Sequence, residues 1–202
     1  MANQSKLKED KEQDEEKSVW TSAHTATFAL MYLAYACGMG TRGGMDLAFF
    51  GAQKENVLSV TQFSALLTSG TAAYATGKLL GGPLVDYLGG RTILVTLTSL
   101  MGLSFISIGR TKNPVVMSAL WSFSRIVHSL GWPAMSVLMR NWFCDLSNGA
   151  FVNSVLSTSS RAGAWIGPFV SGYLLEVLGS WQTLASGIGA FSILVSTTLF
   201  AF

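Results

Sequence analysis

Arg42, Lys78, Arg125 and Arg161 stand inside stretches otherwise apolar enough to cross a bilayer, and almost no acidic residue lies near them to cancel their charge. A charge at mid-bilayer depth costs at least about 2.5–3.5 kcal/mol, so such residues face a protein interior or a watery cavity and usually act there. Uncompensated cations at that depth suit one chemistry above others, the gripping of an anion. Arg42 offers five donors in a planar fork matched to phosphate or carboxylate. Asp46 follows it by one helical turn, so a self-contained ion pair is the plain alternative. Tyr35 lies two turns earlier on the same stripe, where its hydroxyl either assists or its ring simply packs. Lys78 faces a cavity or reaches back to the headgroups with its long stem. Arg125 is centred in its stretch and supports or gates a pathway, or bonds to protein carbonyls. Arg161 is also central, with four Ser/Thr residues just before it as polar company. His128 is a proton carrier or, more commonly for a lone histidine, a packed ring.

The elements that position these residues are membrane spans. Half of the 202 residues are hydrophobic and 12% are charged, and most of the acids crowd into the first sixteen positions. A helix needs about 20 mainly apolar residues to cross a hydrocarbon core. The chain after Trp20 divides into six such lengths, at about 24–50, 60–84, 92–109, 114–139, 150–177 and 181–202. The connections GAQKENVLS, DYLGGR, RTKNP and CDLSNG are short, polar and rich in turn formers. With a cytosolic N-terminus the inner side carries Lys6, Lys8, Lys11, Lys17, Arg91 and Arg140, against Lys54, Arg110 and Lys112 outside. That bias places both ends of the chain in the cytosol. Residues 1–20 read as a solvated, disordered tail, and residues 21–202 as one all-α transmembrane bundle. The chain ends on a span without a polar tail and so reads as one half of something larger.

Several function classes fall away. No nucleophile–base pair, phosphate-cradling loop or exposed basic patch is present, so neither an enzyme nor a nucleic-acid binder is expected. Cys37 and Cys144 lie in different apolar regions and make neither a disulfide framework nor a metal site. They read as small buried hydrophobes, and no cofactor or metal is expected. Trp121, Trp132 and Trp165 are expected between helices, and Trp20, Trp142 and Trp181 at the membrane boundaries.

Three motifs then carry a resemblance. Residues 81–91 read GGPLVDYLGGR, in which Gly82, Asp86, Gly89 and Arg91 follow a tight cytosolic turn, with Asp86 placed to cap a helix N-terminus or to pair with Arg91. Arg125-Ile126-Val127-His128-Ser129 occupies the fourth span, and Gly163-Ala164-Trp165-Ile166-Gly167-Pro168 begins a glycine-rich run in the fifth. In this order and on these spans they resemble the signature motifs of the major facilitator superfamily. Tyr87 stands where a basic residue is usual, and His128-Ser129 where Gln-Gly is. Gly131-Trp132-Pro133 and Trp142-Phe143 resemble, within it, the organophosphate:phosphate antiporter group typified by glycerol-3-phosphate transporters.

The resemblance implies a six-helix half of a transporter, built from two inverted three-helix repeats, which meets a C-terminal six-helix half in the lipid bilayer. It implies secondary active transport of a small organic anion by alternating access. Substrate contacts would fall to Arg42, Lys78, Tyr35 and Arg161, and gating or structural roles to Gly82, Asp86, Gly89, Arg91, Arg125, Gly163, Gly167 and Pro168. Two alternatives stay open: a truncated or regulatory half without independent transport, and an exporter of drugs or cations.

Overall fold

A computed structural model describes residues 20–144, 146 and 149–201, and among these it is all-α, with seven helices and no strand. They are α1 (Ser22–Lys54), α2 (Val60–Leu88), α3 (Gly90–Arg110), α4 (Pro114–Ser129), α5 (Gly131–Phe143), α6 (Gly149–Leu178) and α7 (Trp181–Ala201). The tail read from the sequence lies, up to residue 19, outside the described residues.

Local chemistry accounts for the helix ends. Thr21 and His24 form a capping box at the start of α1, and Ser59 and Gln62 form another at α2, where the Ser59 N–H donates to Gln62 Oε1 at 2.9 Å. At α4 the Asn113 side chain accepts from the Val115 N–H at 3.0 Å, and Pro114 occupies the first helical position, where a missing N–H costs nothing. Only Gly89, at φ 82°, separates α2 from α3. A side chain there would be strained, so the turn is as tight as its glycines suggested.

One span departs from expectation. The fourth, expected unbroken over 114–139, is two helices joined at Leu130. Pro133 has no N–H to give the Ser129 carbonyl, and its ring crowds that carbonyl. The chain tightens instead, with the Leu130 N–H donating to Val127 O at 3.2 Å, and resumes as α5 with the Ala134 N–H bonded to Leu130 O.

Packing follows a rule of exchange. The three most extensive contacts are α1 on α6, α2 on α4, and α3 on α7. Counting α4 and α5 as the fourth span, the first span meets the fifth and the second meets the fourth, while the third meets the sixth. Swapping spans one to three with four to six leaves this set unchanged, as two inverted three-helix repeats require. Each pair closes on glycine. A Cβ on Gly163 or Gly167 would collide with the α1 backbone at Ala36 or Gly40, and one on Gly102 would lie 2.7 Å from the Gly189 carbonyl. One on Gly70 would strike the Trp121 indole. Helices that share lipid gain little from the hydrophobic effect, and close backbone approach supplies the contact instead.

By length and mean hydropathy alone, two of the described helices, α3 and α7, are candidate spans, with mean hydropathies of 1.8 and 1.7. The first, second and fifth spans carry cations or Ser/Thr/Gly runs, which lower an average without shortening a helix, and the break at Leu130 leaves the fourth span as two helices too short to cross alone. Two tryptophans exchange their expected places. Trp165 is 75% exposed on α6, whereas Trp181 is fully buried where Gly51 of α1 leaves room for it. Cys37 is half-buried and Cys144 exposed, so the latter is not the buried hydrophobe expected.

Candidate functional site

The site is assembled from α1, α2 and α4. Gly70 and Gly77 let α2 approach α4 closely enough that Trp121 and Ser129 pack against its backbone. That approach seats Arg125 against Tyr74, one turn along α2 from Gly70. The Arg125 guanidinium carbon lies 4.7 Å from the centre of the Tyr74 ring and 5.5 Å from that of Trp121. Lys78, one turn beyond Tyr74, places its Nζ 5.0 Å from the same ring. Tyr74 therefore holds two cations by its negative face, each contact worth about 0.5–2 kcal/mol depending on desolvation.

Arg125 is 4% exposed, and its Nη1 is fully buried with no acceptor among the described residues. Leaving a buried donor unmatched costs about 1–3 kcal/mol, more for a charged group. His128 is also buried, three residues on; its Nε2 meets Met39 Sδ at 3.4 Å and its ring lies 6.0 Å from Tyr74. The Met39 contact sets it beside the α1 stripe that carries Arg42 one turn further on. Asp46 follows Arg42 by one turn on α1 and precedes Phe49, whose ring lies 5.1 Å from that of Trp121, one turn before Arg125 on α4. Among the described residues the one ion pair is Arg140 with Asp86 at 3.6 Å, so Arg42 and Asp46 share a field without closing a salt bridge. Arg42 and Asp46 are half-buried and Lys78 is exposed, so the cluster opens on a face of the bundle.

Tyr35 packs its ring on Trp132 of α5 at 5.4 Å between centres, which ties α1 to the helix beyond the break. Beside it a cavity of about 30 Å³, room for about one water, is lined by Thr41, Thr98, His128 and Ser192.

Arg161 stands apart. It is exposed on α6, and the Ser/Thr run before it offers no company: Ser157, Thr158, Ser159 and Ser160 each donate to a carbonyl of their own helix. Gly163 and Gly167 serve the α1–α6 crossing, and Pro168 packs there against Gly43. In the turn motif, Asp86 neither caps a helix nor meets Arg91. It pairs with Arg140 at the end of α5, while Arg91 Nη2 donates to the Phe200 carbonyl at 2.9 Å, where the α7 C-terminus favours a cation. Gly82 has open space around it. Tyr74 is the residue that sequence reading passed over, although its position one turn before Lys78 was a signal.

The Major Facilitator Superfamily model matches residues 24–202. The chain belongs to the major facilitator superfamily. It is an integral, multi-pass membrane protein of that superfamily rather than an enzyme. Similar proteins include a gallate transporter of Pseudomonas putida, 24% identical over 149 residues, which cover 71% of this chain and 33% of the relative. Sugar phosphate exchanger 3 of Xenopus laevis is 27% identical over 128 residues, 60% of this chain and 25% of its own. Sugar transporter ERD6-like 17 of Arabidopsis thaliana is 26% identical over 188 residues, 90% and 39%. The superfamily chain thus spans between 25% and 39% of the length of these relatives.

Proposed function

We propose that the chain forms the N-terminal half of a secondary transporter that moves a small organic anion by alternating access. One observation carries this reading: Lys78 and Arg125 meet at the Tyr74 ring with the Arg125 Nη1 buried and unmatched, and the α1 stripe that packs on α4 through Met39 and Phe49 carries half-buried Arg42 and Asp46 between them, so the cluster opens on one face with a single carboxylate. Such a face lowers its energy by taking up oxyanion acceptors. Arg42 grips the anion through its fork, Lys78 adds positive potential, and Arg125 supports the wall from beneath with Tyr74 as its rest. Tyr35 lines the approach, and exposed Arg161 on α6 extends the positive surface towards a partner half. Gly82, Asp86, Gly89 and Arg91, with Arg140, hold the inner gate, and Gly163, Gly167 and Pro168 keep α6 against α1 as the bundle rocks. The N-terminus is cytosolic, by the Lys/Arg bias of the loops. A C-terminal six-helix half, in the same longer chain or a second subunit, closes the open face.

Two of the relatives are named for anions, gallate and sugar phosphates, which supports the substrate class. A neutral sugar is the second reading, favoured by the Arabidopsis relative whose match covers 90% of this chain. Uptake into liposomes containing the complete protein, measured with a panel of phosphorylated, carboxylated and uncharged solutes, separates the two. Uptake of hexoses alone, insensitive to Arg42→Lys, would overturn the anion reading.

A further inference from the structure

We propose that a groove at one end of the bundle holds a single anionic phospholipid, its phosphodiester on Arg91, an ester carbonyl on the Thr27 hydroxyl and an acyl chain along Leu30, Leu94 and Leu138. The groove has a volume of about 270 Å³ and lies between α1, α3, α5 and α7. Its lining comes from the opening turns of α1 and α3 and the closing turns of α5 and α7, so all of it belongs to the end of the bundle where α1 begins. Trp142, 42% exposed on its wall, stands at the depth where a boundary tryptophan meets lipid headgroups.

Water does not suit this space. Each water needs two to four polar partners, and the lining side chains other than Thr27, Arg91 and Trp142 are all apolar. Hydrocarbon suits the walls, and the two polar groups each lack something that a phospholipid carries. Thr27 is 7% exposed, and its Oγ1 is buried with no partner among the described residues. Thr41 and Thr98 donate to carbonyls of their own helices at 3.0 and 2.7 Å, whereas the Thr27 hydroxyl is left for the groove, where an ester carbonyl can accept from it. Arg91 is exposed at the mouth. Its Nη2 donates to the Phe200 carbonyl at 2.9 Å, which steadies the guanidinium, and no carboxylate among the described residues pairs with it, because Asp86 is held by Arg140. The rest of its fork is matched to phosphate oxygens.

The depths also agree. Thr27 lies five residues into α1, about 7.5 Å from its start, while Arg91 is the second residue of α3. The hydroxyl is therefore the deeper of the two, and the apolar walls lie beyond it, in the order in which a phospholipid presents phosphate, ester and chain. A dissolved anion would satisfy Arg91 alone and leave Thr27 and the walls unmet.

Native mass spectrometry of the purified chain, released from micelles that contain equal amounts of phosphatidylglycerol and phosphatidylcholine with identical acyl chains, counts the lipids that stay bound. The two share phosphodiester, esters and chains and differ in net charge. The unmodified chain should keep one phosphatidylglycerol with about tenfold preference, the worth of one hydrogen bond between charged groups. Arg91→Gln should bring the preference to within about twofold of unity. Thr27→Val keeps the shape without the hydroxyl and should lower retention of both lipids about fivefold, with the preference unchanged. Ala23→Trp fills the groove, leaves both polar groups in place and should abolish retention.

No retained lipid on the unmodified chain, an unchanged preference in Arg91→Gln, or undiminished retention in Thr27→Val or Ala23→Trp would overturn the assignment. Displacement of the lipid by excess inorganic phosphate would overturn it too, by making the site one for a free anion. Where Arg91→Gln does not fold, the other two variants decide, and failure of all three to fold would make these residues structural and refute the proposal.

Discussion

Arg125→Met separates an arginine kept for a ligand from one kept for the fold. The side chain is 4% exposed, so the change removes a charge from a nearly dry site and leaves an unbranched apolar chain that adapts to the space. Three effects compete. Losing the contacts at 4.7 Å to Tyr74 and 5.5 Å to Trp121 costs about 0.5–2 kcal/mol each. Removing a buried donor with no acceptor, Nη1, returns about 1–3 kcal/mol. Relief of repulsion from Arg42 and Lys78 and loss of attraction to Asp46 oppose each other and largely cancel. The net change is expected within about 2 kcal/mol of zero, which at about 2–4 °C per kcal/mol for a chain of this size keeps the melting temperature within about 8 °C. Thermal unfolding in nanodiscs, followed by tryptophan fluorescence with and without phenyl phosphate, gives both readouts. The variant should hold its melting temperature and lose the stabilisation by the anion. A fall of more than about 12 °C in the ligand-free variant would show that Arg125 holds the bundle together and would refute the reasoning.

Arg42→Lys keeps the charge but loses the fork, so uptake of the anion by the complete protein should fall at least about tenfold with expression unchanged, the equivalent of one charged hydrogen bond. Near-normal uptake would mean that charge alone suffices. Gly167→Ala drives a methyl into the Gly40 backbone and should cost about 1–3 kcal/mol by overpacking, while Gly187→Ala, on the same bundle with nothing within 4 Å, should leave the melting temperature level or slightly higher. Asp86→Asn breaks a pair whose side chains are 68% and 64% exposed and should alter stability by less than about 1 kcal/mol, so any large effect on transport would belong to the gate. Single cysteines at Lys54 and Tyr87, both exposed, should react with an impermeant reagent from opposite faces of the membrane, and reaction from one face would overturn the six-span topology.

What could be read in the sequence depended on the range of the interaction that decides each feature. The spans and their turns were legible because length, apolarity and local signals such as Ser59 with Gln62, Asn113 with Pro114, and Gly89 act within a few residues. The break at Leu130 was signalled by Pro133 but hidden by the unbroken hydropathy around it. The shortage of acids beside Arg42, Lys78, Arg125 and Arg161 was legible in the sequence, yet the seating of Arg125 and Lys78 on Tyr74 was not, because that depends on how closely α2 meets α4 at Gly70. The partner of Asp86 was misjudged for the same reason: Arg91 is near in sequence, and Arg140 is near in space. Arg161 resembled the other three in burial pattern along the chain, but which side of α6 faces the bundle follows from the glycine crossing with α1.

The pattern of helix pairs also bears on how the chain is made. None of the three tightest pairs joins consecutive spans: the first waits for the fifth, the second for the fourth, and the third for the sixth. During synthesis the first three helices therefore enter the membrane before their partners exist, and Arg42 and Lys78 enter with them. The early spans must tolerate lipid or the insertion machinery as lone helices. Contacts this distant in sequence form late and slowly, so assembly of the bundle is deferred until the last span arrives.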